Sequence, residues 1–190
     1  MVILVEGPGD QQALSVLVRR LQSEAGLKCI NMKGKSNIVR RNRGFEDTVR
    51  RQYGLGQNWF AILIDSDVTS APYQTVDEEQ QDMPRRAQTL AGELQVSVQV
   101  FWAVLTMESW LIGGLQPGAT TCGLREVPQI PANTETSPHQ PKQWLTDRLQ
   151  NRQYTPKTQA CLASQIDLNQ ARQRNGSMGW FMENIEQAVD

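Results

Sequence analysis

Histidine is nearly absent from this chain: His139 is its only one. That removes any histidine-rich zinc site, and it makes a Ser-His-Asp or Cys-His hydrolase depend on one residue in a proline-flanked segment, so a catalytic site is expected to be built from carboxylates. Cysteine is scarce too. Cys29, Cys122 and Cys161 lie far apart, form no Cys-x-x-Cys pair and are odd in number. They read as buried reduced thiols of a cytoplasmic protein, not as a disulfide framework. No apolar run approaches the ~18 residues a membrane span needs. The N-terminus lacks a basic leader region and meets Glu6 at once, which does not fit a signal peptide. Excess charge of either sign is also missing. Nineteen basic residues against twenty acidic ones give a net charge of -1. A strongly basic nucleic-acid coat protein is excluded, but binding through a local basic patch or a bridging metal is not.

What is present is an ordinary globular composition, 39% hydrophobic and 21% charged over 190 residues, enough for one domain with an appendage. Val2 to Val5 is a short apolar run ending in Glu6-Gly7-Pro8-Gly9, the pattern of a buried parallel strand. From Asp10, which can cap a helix, Ala13, Leu14, Leu17, Val18 and Leu21 recur on one helical face, and Gly26 is the expected stop. A second strand is expected at 28–32 and a helix at 43–53 closed by Gly54. The clearest strand is 59–64, running into Asp65-Ser66-Asp67. A polar loop over 68–83 precedes a helix opened by Pro84, then a strand at 96–105 and a short helix from Glu108. This alternation predicts a three-layer α/β core over 1–115 with a mainly parallel four-stranded sheet. Its first and third strands are expected to be neighbours, because the carboxylates at their ends could share a metal only then. Residues 116–140 read as a loop. A helical extension over 141–190, with helices at 143–150, 158–164 and 178–188, is expected to pack on the core.

The acids fall where such sheets place function. Glu6 follows the first strand, Asp65 and Asp67 the third, and Glu108 the fourth, so all four project from the carboxyl edge of one sheet. The alternation within Asp65-Ser66-Asp67 turns both acids to the same side. Clustered carboxylates repel and resist desolvation unless a proton is shared or a cation lies between them. An all-oxygen set suits Mg²⁺ or Mn²⁺, which can orient a water and neutralise a phosphodiester. A dinucleotide site is disfavoured, because Glu6-Gly7-Pro8-Gly9-Asp10 stands where a Gly-x-Gly-x-x-Gly turn would be needed.

These residues resemble the Toprim domain. Its two signatures are an apolar strand ending in Glu-Gly and a later one ending in Asp-x-Asp. They read here Ile3-Leu4-Val5-Glu6-Gly7-Pro8-Gly9-Asp10 and Ile62-Leu63-Ile64-Asp65-Ser66-Asp67. The rest of the chain is similar to the small stand-alone OLD-like Toprim proteins of bacteria, through the stretch Ala103-Val104-Leu105-Thr106-Met107-Glu108-Ser109-Trp110-Leu111, through Tyr154-Thr155-Pro156-Lys157 and through Ser177-Met178-Gly179-Trp180-Phe181. The resemblance implies a three-layer Rossmann-like Toprim fold and a Mg²⁺- or Mn²⁺-dependent nuclease acting on DNA or RNA. It makes Glu6 a metal ligand or general base, Asp65 and Asp67 the metal-binding pair, and Asp10 and Glu108 further members of the metal shell. Lys157 would support the charge that develops on phosphate. No tyrosine-bearing gate of a topoisomerase and no template-binding domain of a primase finds room. The ATPase of OLD-type nucleases is missing as well. Gly34-Lys35-Ser36 matches only the last three residues of a phosphate loop. The resemblance therefore implies a separate ABC/SMC-like ATPase, in an anti-phage or mobile-element setting, and leaves a homodimer open. The alternative is a non-catalytic Toprim module that binds metal and a protein or nucleic-acid partner.

Between Lys33 and Arg51 the chain is locally basic. Lys35, Arg40, Arg41 and Arg43 are the candidates for nucleic-acid phosphate contact beside the metal site. Arg50 and Arg51 can instead pair with Glu46 and Asp47 at helical spacing. The aromatics Trp59, Trp102, Trp110, Trp144, Trp180 and Phe181 are expected in the core, not as base-stacking platforms, and His139 on a surface loop.

Overall fold

The computed structural model describes residues 1–22, 26–41, 43–67 and 70–188. Four strands form one all-parallel sheet: β1 (Val2–Val5), β2 (Lys28–Asn31), β3 (Trp59–Asp65) and β4 (Ser97–Ala103), in the order β2-β1-β3-β4. Val2, Ile3 and Leu4 lie opposite Phe60, Ala61 and Ile62, so the expected contact between the first and third strands is present. Strand order reverses between β1 and β3, which puts the switch point beside the ends that carry Glu6 and Asp65.

Side-chain alternation divides the core in two. Ile3, Val5, Ala61, Leu63, Phe101 and Ala103 face one side, where α1 (Pro8–Leu21), α5 (Met107–Gly113), α6 (Pro141–Arg148), α7 (Pro156–Gln165), α8 (Leu168–Arg174) and α9 (Gly176–Gln187) supply the cover. Val2, Leu4, Phe60, Ile62, Ile64, Val98 and Val100 face the other, under α2 (Lys35–Val39), α3 (Phe45–Tyr53) and α4 (Val76–Leu94). The helices that follow residue 140 thus complete one layer of the α/β sandwich and share its apolar core. Trp110 and Phe181 are buried there in ring contact, 5.2 Å between centroids.

Several expectations change. α1 starts at Pro8, and Asp10 sits inside its first turn, where Oδ2 accepts the Gly7 N–H at 3.0 Å. That helix ends at Leu21, ahead of Gly26, and residues 23–25 lie outside the described residues. The larger correction concerns α4, which begins at Val76. Thr75 Oγ1 accepts the Glu78 N–H at 3.1 Å, and Glu78 reaches back to the Thr75 N–H at 3.4 Å. This reciprocal cap overrides Pro84, which lies within the helix and not at its start. Residues 68 and 69 of the expected loop lie outside the described residues. α2 and α8 were not expected, and 116–140 contains a 3₁₀ helix at Pro117–Cys122.

The cysteines are also corrected. Cys122 and Cys161 form a disulfide between that 3₁₀ helix and α7, and Cys29 alone is free. Sequence separation hid a contact that folding of the tail creates. Arg50 pairs with Glu93 at 2.7 Å and Arg86 pairs with Glu46, so the arginines of α3 do not pair within their own helix. Trp180 is 47% exposed and not in the core. Trp144 is half-buried and stacks under the Arg148 guanidinium, 3.8 Å from its ring centre. His139 is exposed, as expected. No helix among the described residues is long and apolar enough to cross a membrane.

Candidate acidic site at the sheet switch point

A cleft of about 450 Å³ opens over the carboxyl ends of β1 and β3. Glu6, Asp10, Asp65, Asp67 and Glu108 all line it, so every expected metal-shell carboxylate reaches one cavity. The backbone makes this possible. Glu6 is the first residue beyond β1, Asp65 the last of β3, and Glu108 stands in the first turn of α5, immediately after the β4 exit. Asp10 is presented by the first turn of α1.

Hydrogen bonds fix these groups individually. The Asp65 N–H donates to Glu6 Oε1 at 2.9 Å, joining the two strand ends directly. Asp65 Oδ1 accepts the Met107 N–H at 2.9 Å, at the open N-terminus of α5, where a negative charge is favoured. Gln159 of α7 donates to Asp10 Oδ1 at 3.1 Å. Leu105 takes a left-handed conformation (φ 63°) between β4 and α5, and its N–H donates to Ser66 Oγ at 3.1 Å. That side-chain acceptor holds a backbone conformation which costs a non-glycine residue about 1 kcal/mol or more.

Electrostatics oppose this gathering of acids. Burial pushes Glu6 up to about 7; Asp10 and Asp67 push the same way, and the Asp65 N–H and Lys35 pull against it. Asp65 is driven well above the usual carboxylate range, first by burial and then by Glu6, Asp10, Glu108 and Asp67. Burial also raises Asp10 and Glu108. Tyr154 rises well above the ordinary phenol value, by burial and by Glu108 and Asp10 beside it. The hydroxyls of Tyr154 and Thr106 are buried in the cleft wall and face the Glu108 carboxyl.

Among the described residues no three acid, histidine or cysteine side chains stand in a ready-made metal-binding arrangement. The chemistry of the donor set nevertheless fits a hard divalent cation. It offers only oxygen donors, and its charge favours neutralisation by proton or cation. Glu6, Asp65 and Asp67 are the residues that could hold such an ion, with Asp10 and Glu108 next to them.

The expected basic residues fare differently. Lys35 is buried; its Nζ donates to the Asp65 carbonyl at 2.6 Å and pairs with Glu79 at 3.0 Å, so it supports the floor of the site from behind. A buried ammonium cannot serve as a surface phosphate contact. Arg40, Arg41 and Arg43 are exposed, Arg41 lying 3.5 Å from Asp82, and none of the three lines the cleft. Lys157 is exposed at the start of α7 and does not line it either. The tail does fold back onto the site, but it delivers Tyr154, Thr155, Pro156, Gln159 and Lys142. Lys33 and Lys142 are the cations of the cleft wall, and both were missed as individual candidates. Lys33 lay inside the basic stretch, whereas Lys142 has no local signal beyond its place after Pro141 at a helix start.

Comparison with known protein families, with curated proteins and with solved structures gives no match to this chain. The fold itself defines an α/β protein with an all-parallel four-stranded sheet, Rossmann-like in its layering, with an acidic cleft at its switch point.

Proposed function

We propose that the chain is a Toprim-type, Mg²⁺- or Mn²⁺-dependent phosphodiesterase that cleaves nucleic acid. The observation that carries this reading is the direct link between the strand ends, Asp65 N–H to Glu6 Oε1, at the centre of a cleft lined by five carboxylates. Such a cleft repels a phosphodiester unless its charge is offset, and a bound divalent cation would supply that charge together with an acidified water. Glu6, Asp65 and Asp67 are the residues assigned to hold it.

The chain's own groups divide the remaining work. Burial raises Glu6 to about 7 in the metal-free site, and where it does not ligate the ion it is placed to accept a proton from an attacking water. Lys33 and Lys142 on the cleft wall can receive phosphate oxygens, a role the resemblance implied for Lys157. Positive groups aimed at a transferring phosphoryl are worth roughly 10²–10³ in rate each. Tyr154 walls off the floor and sets its hydroxyl against the Glu108 carboxyl. A separate ATPase subunit belongs to the same proposal and rests on the resemblance.

The test is cleavage of single- and double-stranded DNA and RNA with Mn²⁺, alone and with a candidate ATPase, alongside Mn²⁺ titration followed by thermal melting. Saturable stabilisation and cleavage, both lost in Asp65→Asn and Glu6→Gln, are expected. Stabilisation without cleavage of any substrate would favour the non-catalytic module. No Mn²⁺ response in any assay would remove the metal site.

A further inference from the structure

The sheet has two edges, and they are finished differently. β2 is short, four residues, and carries exposed Lys28 at its start, the usual protection of an edge against unwanted pairing. β4 is seven residues long and reads Ser-Val-Gln-Val-Phe-Trp-Ala, with no charge and no proline. Among the described residues no strand lies on its outer side.

Parity gives the direction of its backbone groups. The Ser97 N–H donates to the Asn58 carbonyl, on the β3 side. In a parallel ladder the N–H and C=O of one residue point to the same neighbour and alternate along the strand. Ser97, Gln99, Phe101 and Ala103 therefore serve β3, while Val98, Val100 and Trp102 turn their N–H and C=O groups to the free edge. Val104, the next in that outward series, has its N–H taken by Ser177 Oγ at 3.3 Å, so α9 closes the edge only at its far end.

Over the open part lies a groove of about 520 Å³ between α4 and α9. Its wall includes Pro84, Ala87 and Ala91 from one helix and Trp180 and Asn184 from the other, with β4 as floor. No residue lining it is charged, in a chain that is 21% charged. Trp180, 47% exposed, packs at a tilt against Phe101 with 4.6 Å between ring centres and also lines the groove.

We infer that this edge pairs with the β4 edge of a second copy of the chain, antiparallel about a twofold axis at Val100. Val98 of one copy then lies opposite Trp102 of the other and Val100 opposite itself, and each outward residue exchanges both its N–H and C=O bonds. The axis runs perpendicular to the sheet, so the two sheets join into one, α9 facing α9 on one side and α4 facing α4 on the other. The uncharged lining favours this occupant. A twofold places like on like, and any charge near the axis would meet its own copy at short range. A charged partner would find no complement here. The inference does not depend on the acidic cleft.

Sedimentation and light scattering across micromolar concentrations test it. The wild type is expected at twice the 21.4 kDa chain mass. Val100→Pro removes an outward N–H and leaves the bonds to β3 intact; Trp180→Glu puts a charge in each copy's uncharged groove beside the joined edges. Each is expected to give a monomer with an unchanged far-UV spectrum, and Glu6→Gln to remain a dimer. If Val100→Pro does not fold, Trp180→Glu decides alone. A monomeric wild type, including one whose edge captures a different protein, overturns the inference, as does a folded Trp180→Glu that stays dimeric.

Discussion

Around Glu6, burial and neighbouring charge act in opposite directions. Desolvation lifts its pKa from 4.5 to about 7 against the Asp65 N–H and the Lys35 ammonium. The folded state therefore holds a proton that the unfolded chain gives up near pH 4.5. Stability from this group is complete below about pH 4.5 and is lost as pH rises to about 7, on the order of 3 kcal/mol in total. The opposite slope is usual for ion-paired carboxylates. Denaturant unfolding in metal-free buffer between pH 4.5 and 8 should show stability falling with pH, and Glu6→Gln should make that fall shallower without abolishing it, since the raised Asp65, Asp10 and Glu108 slope the same way. A wild-type profile that rises through this window would show that the burial assigned to Glu6 is wrong. The same reasoning explains why Glu6 and Asp65 were legible from sequence as a pair while Tyr154 and Gln159 were not. A carboxylate at a strand end carries its own signal; a buried tyrosine or glutamine does not.

Among the elements, the ion pair between α2 and α4 carries a cost that surface pairs do not. Lys35 Nζ lies 3.0 Å from Glu79, whose side chain is fully buried, and also donates to the Asp65 carbonyl. Removing one partner of a buried pair costs about 3–5 kcal/mol, because the other charge stays in the interior. Lys35→Met should lower the melting temperature by roughly 10 °C, and Lys35→Met with Glu79→Leu should recover most of the loss. If Lys35→Met melts with the wild type but binds nucleic acid less well, the surface role expected from sequence would be restored. The basic stretch misled because charge composition carries no information on burial: α2, five residues long, turns one lysine inward and leaves Arg40 outside. The missed start of α4 has a similar origin. Pro84 is a strong local signal, but the Thr75–Glu78 cap satisfies the helix start eight residues earlier, leaving the proline to be tolerated within.

For the molecule as a whole, the disulfide ties the segment after α5 to the tail. It joins Cys122 and Cys161 across a separation of 39 residues, and α7, which carries Cys161, packs on α1 and holds Asp10 through Gln159. A loop of that length removes about 4 kcal/mol of chain entropy from the unfolded state. Thiol titration of the native protein should find one free group, Cys29, and three after reduction. Cys161→Ser is expected to lower unfolding stability by about 2–4 kcal/mol. Three titratable thiols in the protein purified without reductant would mean that the link does not form.

The sequence by itself determined the layered α/β class and the four strands, because apolar runs bounded by turn residues are local patterns. That β1 and β3 are neighbours followed only from the premise that their terminal acids share a metal, and the tertiary structure decided it. It also determined which carboxylates gather, since Glu6, Asp65, Asp67 and Glu108 are each placed by the strand they follow. Only the tertiary structure decided which cations accompany them. Lys35 went behind the site, Lys157 stayed at the surface, and Lys33 and Lys142 came to the cleft wall. These outcomes depend on how α2 and the tail pack on the sheet, and a long, flexible lysine side chain leaves no periodicity from which its direction can be read. The link of Cys122 to Cys161 and the open edge at β4 were decided in the same way, by contacts between segments far apart in the chain.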